Sequence, residues 1–383
     1  MTQGTVVAKH LASAIVVLVM VATMISLPAL HVAAATVSPP GTIPSDCSMD
    51  VTDALQGWLD GIPDGSTIDF AAGSCYRVDG TFKVRERVGL TFVGNGATFR
   101  TVTDGTEAPN PRLRAHWRIT NSDDISISNL VIDGPNTTGA RNPKLEGQHG
   151  FDVGGGVRVT ISGVTIREVF GDALDISASK GGRDDPLPER DSEDVTVENS
   201  DLQLLGRHGI GITSARRVTI RNNHVDEAKR SAIDIEPFTP AAVIEDILIQ
   251  SNMFLDYDNF MVAGAGSCAE SRNVTIIDNV ANQGGMRIGR DGCPHRLNLT
   301  VERNTITLPS SGVGLSFLIV TRYAGVTVRD NDVAVGKPGP AVVLAGSLTP
   351  LTVTGNRFCG ASAAVVGDEE TDLVTESGNV LSC

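Results

Sequence analysis

Short runs of alternating apolar and polar residues, each closed by asparagine, recur along the chain. Val218-Thr219-Ile220-Arg221-Asn222-Asn223 shows the pattern most plainly, and copies begin at Val274, Leu299, Val326 and Leu351. Divergent copies begin at Leu90, Ile125, Val159, Val195 and Ile247. Successive starts lie about 23 to 36 residues apart, enough for one solenoid coil of two or three short strands with turns. Alternation turns every second side chain inward, where Val, Ile and Leu of successive coils would stack. The fifth residue after a start is Asn223, Asn252, Asn279, Asn304, Asn331 or Asn356. Stacked in one turn, these side-chain amides would bond from coil to coil and satisfy turn backbone groups. The pattern predicts an all-β protein, a single-stranded parallel β-helix of about ten coils. Ahead of it, Ala54, Leu55, Trp58 and Leu59 fall at helical spacing within residues 53–59. A short amphipathic helix there would cap the open end, and residues 65–76 would begin the first strands.

The start of the chain follows a different pattern. Lys9 and His10 precede an apolar run from position 11 to 30, and Ala33-Ala34-Ala35 supplies small residues for a signal peptidase. Residues 1–35 are therefore expected to be a cleaved secretory signal, leaving residues 36–383 as one extracellular β-helix domain. No later stretch is apolar and long enough to span a bilayer, so no membrane contact is expected after cleavage. Within the domain, residues 46–80 are expected to form the cap and opening strands, and residues 359–383 the C-terminal closure.

Composition sharpens this. The chain of 383 residues holds 41 glycines and only 4% aromatics, which suits turn-rich β-structure. A formal charge of −14 argues against nucleic acid, whose binders need clustered cations. All six cysteines lie beyond the signal, as in proteins of oxidising compartments. Their spacing suggests Cys47–Cys75, Cys268–Cys293 and Cys359–Cys383. Cys268 and Cys293 sit at matching points of adjacent coils, about one rung of 4.8 Å apart, near the lower end of disulfide Cα spacing.

The capping helix, the Ala71-Ala72-Gly73 and Tyr76-Arg77-Val78 opening and the strand-Asn coils resemble the pectin-lyase-like superfamily. This resemblance implies a right-handed β-helix over nearly the whole mature chain.

Chemistry emerges from a second strand in each coil. Phe151, Leu174, Ile210 and Ile233 should face inward, so their neighbours face outward. One outward row then reads Asp152, Asp175, Gly211, Asp234, Met261, Arg287, and a row three residues earlier reads His149, Asp172, His208, Ser231, Asp258. Glu236 lies beside Asp234. Beyond Arg287 the matching positions are the bland Gly314, Val343 and Val365. A solvated acidic face explains any one of these carboxylates, but stacked like charges repel, and their concentration points to a site.

Two chemistries fit the row. Asp175 and Asp234 are two rungs apart with Gly211 between them, about 9.6 Å at Cα by strand spacing. That suits an inverting glycosidase, where one acid protonates the leaving oxygen and the other activates water. Asp152 beside Asp175 would raise a carboxyl pKa, His208 could relay a proton, and Arg287 could hold a substrate hydroxyl or carboxylate. In the alternative, β-elimination, Asp152, Asp175, Asp234 and Glu236 would hold Ca²⁺ against a uronate, and Arg287 or a histidine would abstract the proton. Hydrolysis requires no cofactor.

Polygalacturonase-type glycoside hydrolases carry Asn-Thr-Asp, Asp-Asp, Gly-His-Gly and Arg-Ile-Lys at strand ends. Gly171-Asp172, Arg207-His208-Gly209 and Arg287-Ile288-Gly289 resemble the last three. Here His149 stands for the first aspartate, Gly171 for the general acid and Gly289 for the lysine. The resemblance implies a carbohydrate groove at this face.

The expected catalytic residues are Asp172, Asp175, His208 and Asp234, with His149, Asp152, Glu236, Asp258 and Arg287 contacting substrate. Residues 180–194 form a polar insertion expected to wall the groove or lie as a neutral surface loop. Arg207, Arg216, Arg217, Arg221, Lys229 and Arg230 crowd one region, expected to balance nearby acids or to bind an anionic sugar. The expected activity is cleavage of a polysaccharide by a secreted monomer. The remaining alternative is a non-catalytic glycan-binding or adhesin β-helix, which would need aromatic platforms that two Trp and three Tyr scarcely supply.

Overall fold

The computed structural model describes residues 35–105, 113–179, 189–311, 316–367 and 374–383. The expected signal segment, most of the 180–194 insertion and Gly314 lie outside them.

The described residues form three parallel sheets of 13, 12 and 11 strands, and after an opening turn with no strand in the third sheet the chain visits them in rotation. Eleven complete coils result, one more than the repeat count suggested. The only described helix, Thr52–Asp60, buries Leu55 and Leu59 against the first coils. Ala54 faces solvent instead, because the helix presents one narrow face to the open end.

The core is a continuous column of stacked apolar side chains. Its N-terminal part is aromatic, with Trp117 packed edge-on against Phe82, Phe92 and Phe99. Beyond it Val, Ile and Leu take over, as the β-branched repeat predicts.

The asparagine ladder is continuous. From Asn223 to Asn356, each residue's backbone N–H and side-chain Nδ2 donate to Oδ1 of the asparagine one coil on, at 2.9–3.0 Å. Asn379 ends the series. The residue before each ladder asparagine adopts positive φ, from 51° at Arg303 to 66° at Gly355. The ladder holds side chains such as Arg303 in a backbone region they rarely adopt.

All three disulfides form as the spacing suggested, with Cα separations of 5.0, 4.9 and 5.3 Å. They tie the first coils, a middle pair and the last coils. No free cysteine remains among the described residues, which is the usage of a protein built for an oxidising, extracellular setting. No described helix is long and apolar enough to cross a membrane.

Candidate active site

The site lies on the third sheet, on Phe151–Gly154, Leu174–Ser177, Ile210–Ile212 and Ile233–Ile235. Their first residues are fully buried, so Asp152, Asp175, Gly211 and Asp234 align on the outward side, each directly over the last. The next coil departs from expectation. Val262 pairs with Ile233 and Ala263 with Asp234, a two-residue shift. Phe260-Met261-Val262 is apolar throughout, so Phe260 and Val262 fit the inward position over Ile233 equally well and hydrophobicity alone cannot choose the register. Met261 is buried, and Phe260 rather than Asp258 continues the row from Ser231. Asp258 stands exposed outside the cleft. Arg287 falls where expected, over Ala263, but the row continues through Ile319, Val343 and Val366.

The acids here are not a solvated face. Asp172 has no solvent exposure, and Asp175 and Asp234 retain 8% and 7%. Two groups have ligating atoms within 4.8 Å of one another: His149, Asp172 and Asp175, then His208, Asp234 and Glu236. Arg207 joins them. Its Nη1 donates to Asp172 Oδ2 and its Nη2 to Glu236 Oε2, both at 2.8 Å. Asp172 Oδ1 also accepts the His208 backbone N–H at 2.9 Å.

These contacts separate the carboxyls electrostatically. Burial pushes the Asp172 carboxyl up, but Arg207, the neighbouring histidines and the His208 amide more than offset it, and the group lies below the usual range. Asp175 is pushed up to about 6, first by burial and then by the charges of Asp152 and Asp172, against His149 and Arg207. Asp234 is raised well above the ordinary value by burial and by Glu236. Burial holds the His208 ring down at about 3, so it is neutral.

The histidines share one arrangement. Nδ1 of His149 accepts the backbone N–H of Asp172 at 3.0 Å, and Nδ1 of His208 accepts that of Ser231 at 3.2 Å. The one proton of neutral His208 is therefore on Nε2. That nitrogen sits 3.0 Å from Asp234 Oδ2, but off the line of its N–H.

Gly211 makes the gap. A Cβ there would meet Asp172 Oδ2 at 3.0 Å and Asp175 Oδ1 at 3.2 Å, tighter than ordinary contacts.

The four carboxylates expected to hold Ca²⁺ do not converge. Asp152 is paired with Arg118 at 2.8 Å, and Asp175 belongs to a different group from Asp234 and Glu236. His208 Nε2 carries a proton, and Arg207 places a positive charge between the groups, so these residues do not fit a shared cation.

A cleft of about 520 Å³ opens from His208, Asp234 and Glu236 towards Arg287 and Arg290. Phe260 and Arg230 line it too. Most cations of the basic region are consumed by acids: Arg216 and Arg217 by Asp191, Glu193 and Asp194, and Arg221 by Glu198. Arg230 and Arg287 have no ion-pair partner among the described residues.

Residues 117–333 match the family described as the right-handed β-helix region, more than half of the chain. The chain belongs to that family. No curated protein sequence matches it. Among solved structures it is similar to PfbA, a surface adhesin of Streptococcus pneumoniae, with 15% identity over 87% of this chain and 91% of that one, TM-score 0.61. A tailspike protein of E. coli bacteriophage HK620, solved with a pentasaccharide, is 13% identical over 89% of this chain and 64% of its own, TM-score 0.62. The A-module of the Azotobacter vinelandii mannuronan C-5 epimerase AlgE4 is 15% identical over 91% and 95%, TM-score 0.56. At such identities the likeness is one of fold.

Arg207, expected with its neighbours to balance nearby acids, does so by bridging Asp172 and Glu236. Two participants were not foreseen from the sequence: Arg118 neutralises Asp152, and Phe260 lines the cleft. A pairing of stacked outward rows could have found Arg118, whereas Phe260 needed the register of its coil.

Proposed function

We propose that this protein is a secreted glycoside hydrolase that cleaves a polysaccharide laid across Asp175 and Asp234 and continuing into the cleft. The observation that carries the reading is the pair of raised carboxyls, Asp175 and Asp234, on either side of Gly211. Asp234, raised well above the ordinary carboxyl value by burial and by Glu236, acts in its protonated form as general acid towards the glycosidic oxygen. Asp175, ionised above about pH 6, acts as general base and takes a proton from the attacking water. The leaving sugar departs with the Asp234 proton, and hydroxide from the water adds at the anomeric carbon. Two rungs of roughly 4.8 Å separate the two backbones, in keeping with the wider carboxyl spacing of inverting enzymes.

The other groups serve this pair. Asp172 stays ionised against Arg207 and stabilises positive charge developing on the sugar ring. The neutral His208 ring packs against Asp234, its Nε2 3.0 Å from Oδ2, and confines that carboxyl. Phe260 supplies an apolar face for a pyranose. Arg230 and Arg287 favour a substrate carrying carboxylate groups. A tailspike solved with an oligosaccharide and a mannuronan epimerase share the fold, which agrees with a glycan partner.

A panel of neutral and uronic polysaccharides tests the reading, followed by reducing ends and by the ultraviolet absorbance of unsaturated products. Reducing ends without absorbance are expected. Absorbance alongside reducing ends would mean elimination, and binding without either product would mean an adhesin.

A further inference from the structure

Beneath the cleft floor, Arg296 is 4% exposed on the strand Arg296–Glu302. Its Nη2 donates to the carbonyls of Ala265 and Ser267, each at 3.2 Å. Its Nη1 is shielded from solvent and has no hydrogen-bond partner, and no carboxylate pairs with the side chain. A guanidinium remains charged in any protein environment. This is a buried cation without a counter-charge, which is costly.

The same side chain lines a small, partly open void of about 10 Å³, room for one water-sized particle. Ser271 and Tyr323 line it as well, and both are buried. Their hydroxyls lie 3.1 Å apart and share one hydrogen bond. One of the two protons is used in that bond, so the other is free to turn into the void. The lining thus offers a full positive charge, an unused guanidinium N–H and a hydroxyl proton, with no carboxylate.

We infer that this void is a binding site for a single small anion, a halide such as chloride. Carboxylate, nitrate and sulfate ions are too large for it. Water fits the space but leaves the charge uncompensated. Gly264 and Ala265 line both the void and the cleft, so an anion on Arg296 would fix the floor on which a ligand rests.

Crystals soaked in bromide give the direct test. A bromide anomalous peak in contact with Arg296 Nη1 is expected, and a water there with no anomalous signal would overturn the inference. In solution at constant ionic strength, replacing gluconate by chloride should raise the melting temperature by about 2 °C or more and saturate with concentration. Arg296→Gln should abolish that shift. Equal melting temperatures in the two salts, or a shift of the same size in the variant, would also overturn it. If Arg296→Gln fails to fold, the anomalous measurement on the unaltered protein decides.

Discussion

Arg207 Nη1 lies 2.8 Å from Asp172 Oδ2, and the aspartate of this pair is entirely withdrawn from solvent. The pair fixes one carboxylate as ionised amid acids that burial drives towards the neutral form. Arg207→Met would strand a buried negative charge and should cost about 3–5 kcal/mol. Arg207→Met with Asp172→Asn should recover part of that loss, because no buried charge is then left alone at this position. Denaturant unfolding of the two single variants and the double variant measures the coupling. Additive losses would contradict the pair.

Asp175 gives a pH signature of the opposite sign. A carboxyl raised from its ordinary value to about 6 leaves the folded state holding a proton that the unfolded chain has already released. Stability therefore falls as pH rises from about 4 to about 6 and stays reduced above that. Asp175→Asn removes the penalty, and should raise stability by ~1–3 kcal/mol at pH 7 while changing little at pH 4. Melting temperatures at the two pH values check this. A variant destabilised equally at both would contradict it.

Gly211→Ala tests the gap between the acids. No unusual backbone conformation requires glycine here, so the effect should come from the new methyl pressing on Asp172 and Asp175. Activity on the polysaccharide found by the panel should fall about ten- to hundredfold with nearly unchanged folding. Unchanged activity would mean that the carboxyl positions do not matter.

The cleft residues should separate binding from chemistry. Arg287→Ala should raise KM about tenfold or more by removing a charge-assisted contact, with a smaller effect on kcat. Phe260→Ala should act in the same direction. Asp258→Asn, altering an exposed side chain outside the cleft, should leave both constants as they were. Steady-state kinetics of the three variants give the comparison.

What was legible in the chain depended on repetition. The ladder from Asn223 to Asn356 and the three disulfides recur at fixed points of the coil, so spacing alone placed them. Where a coil breaks the pattern, as at Phe260-Met261-Val262, an unbroken apolar run conceals the register, and Asp258 was placed in a row that Phe260 occupies. The rows also could not show pairing. Asp152 looked like a member of the acid cluster until its neighbour one coil back proved to be Arg118. Arg207 belongs to neither expected row, yet it connects both acid groups, because a turn residue can reach along the stack as well as across it.

The most direct test of the account compares the unaltered protein with Asp234→Asn on the polysaccharide panel. The account predicts that the unaltered protein releases reducing ends without unsaturated products. The variant should fold with at least the same melting temperature and release none. Equal rates of release from the two proteins would contradict it.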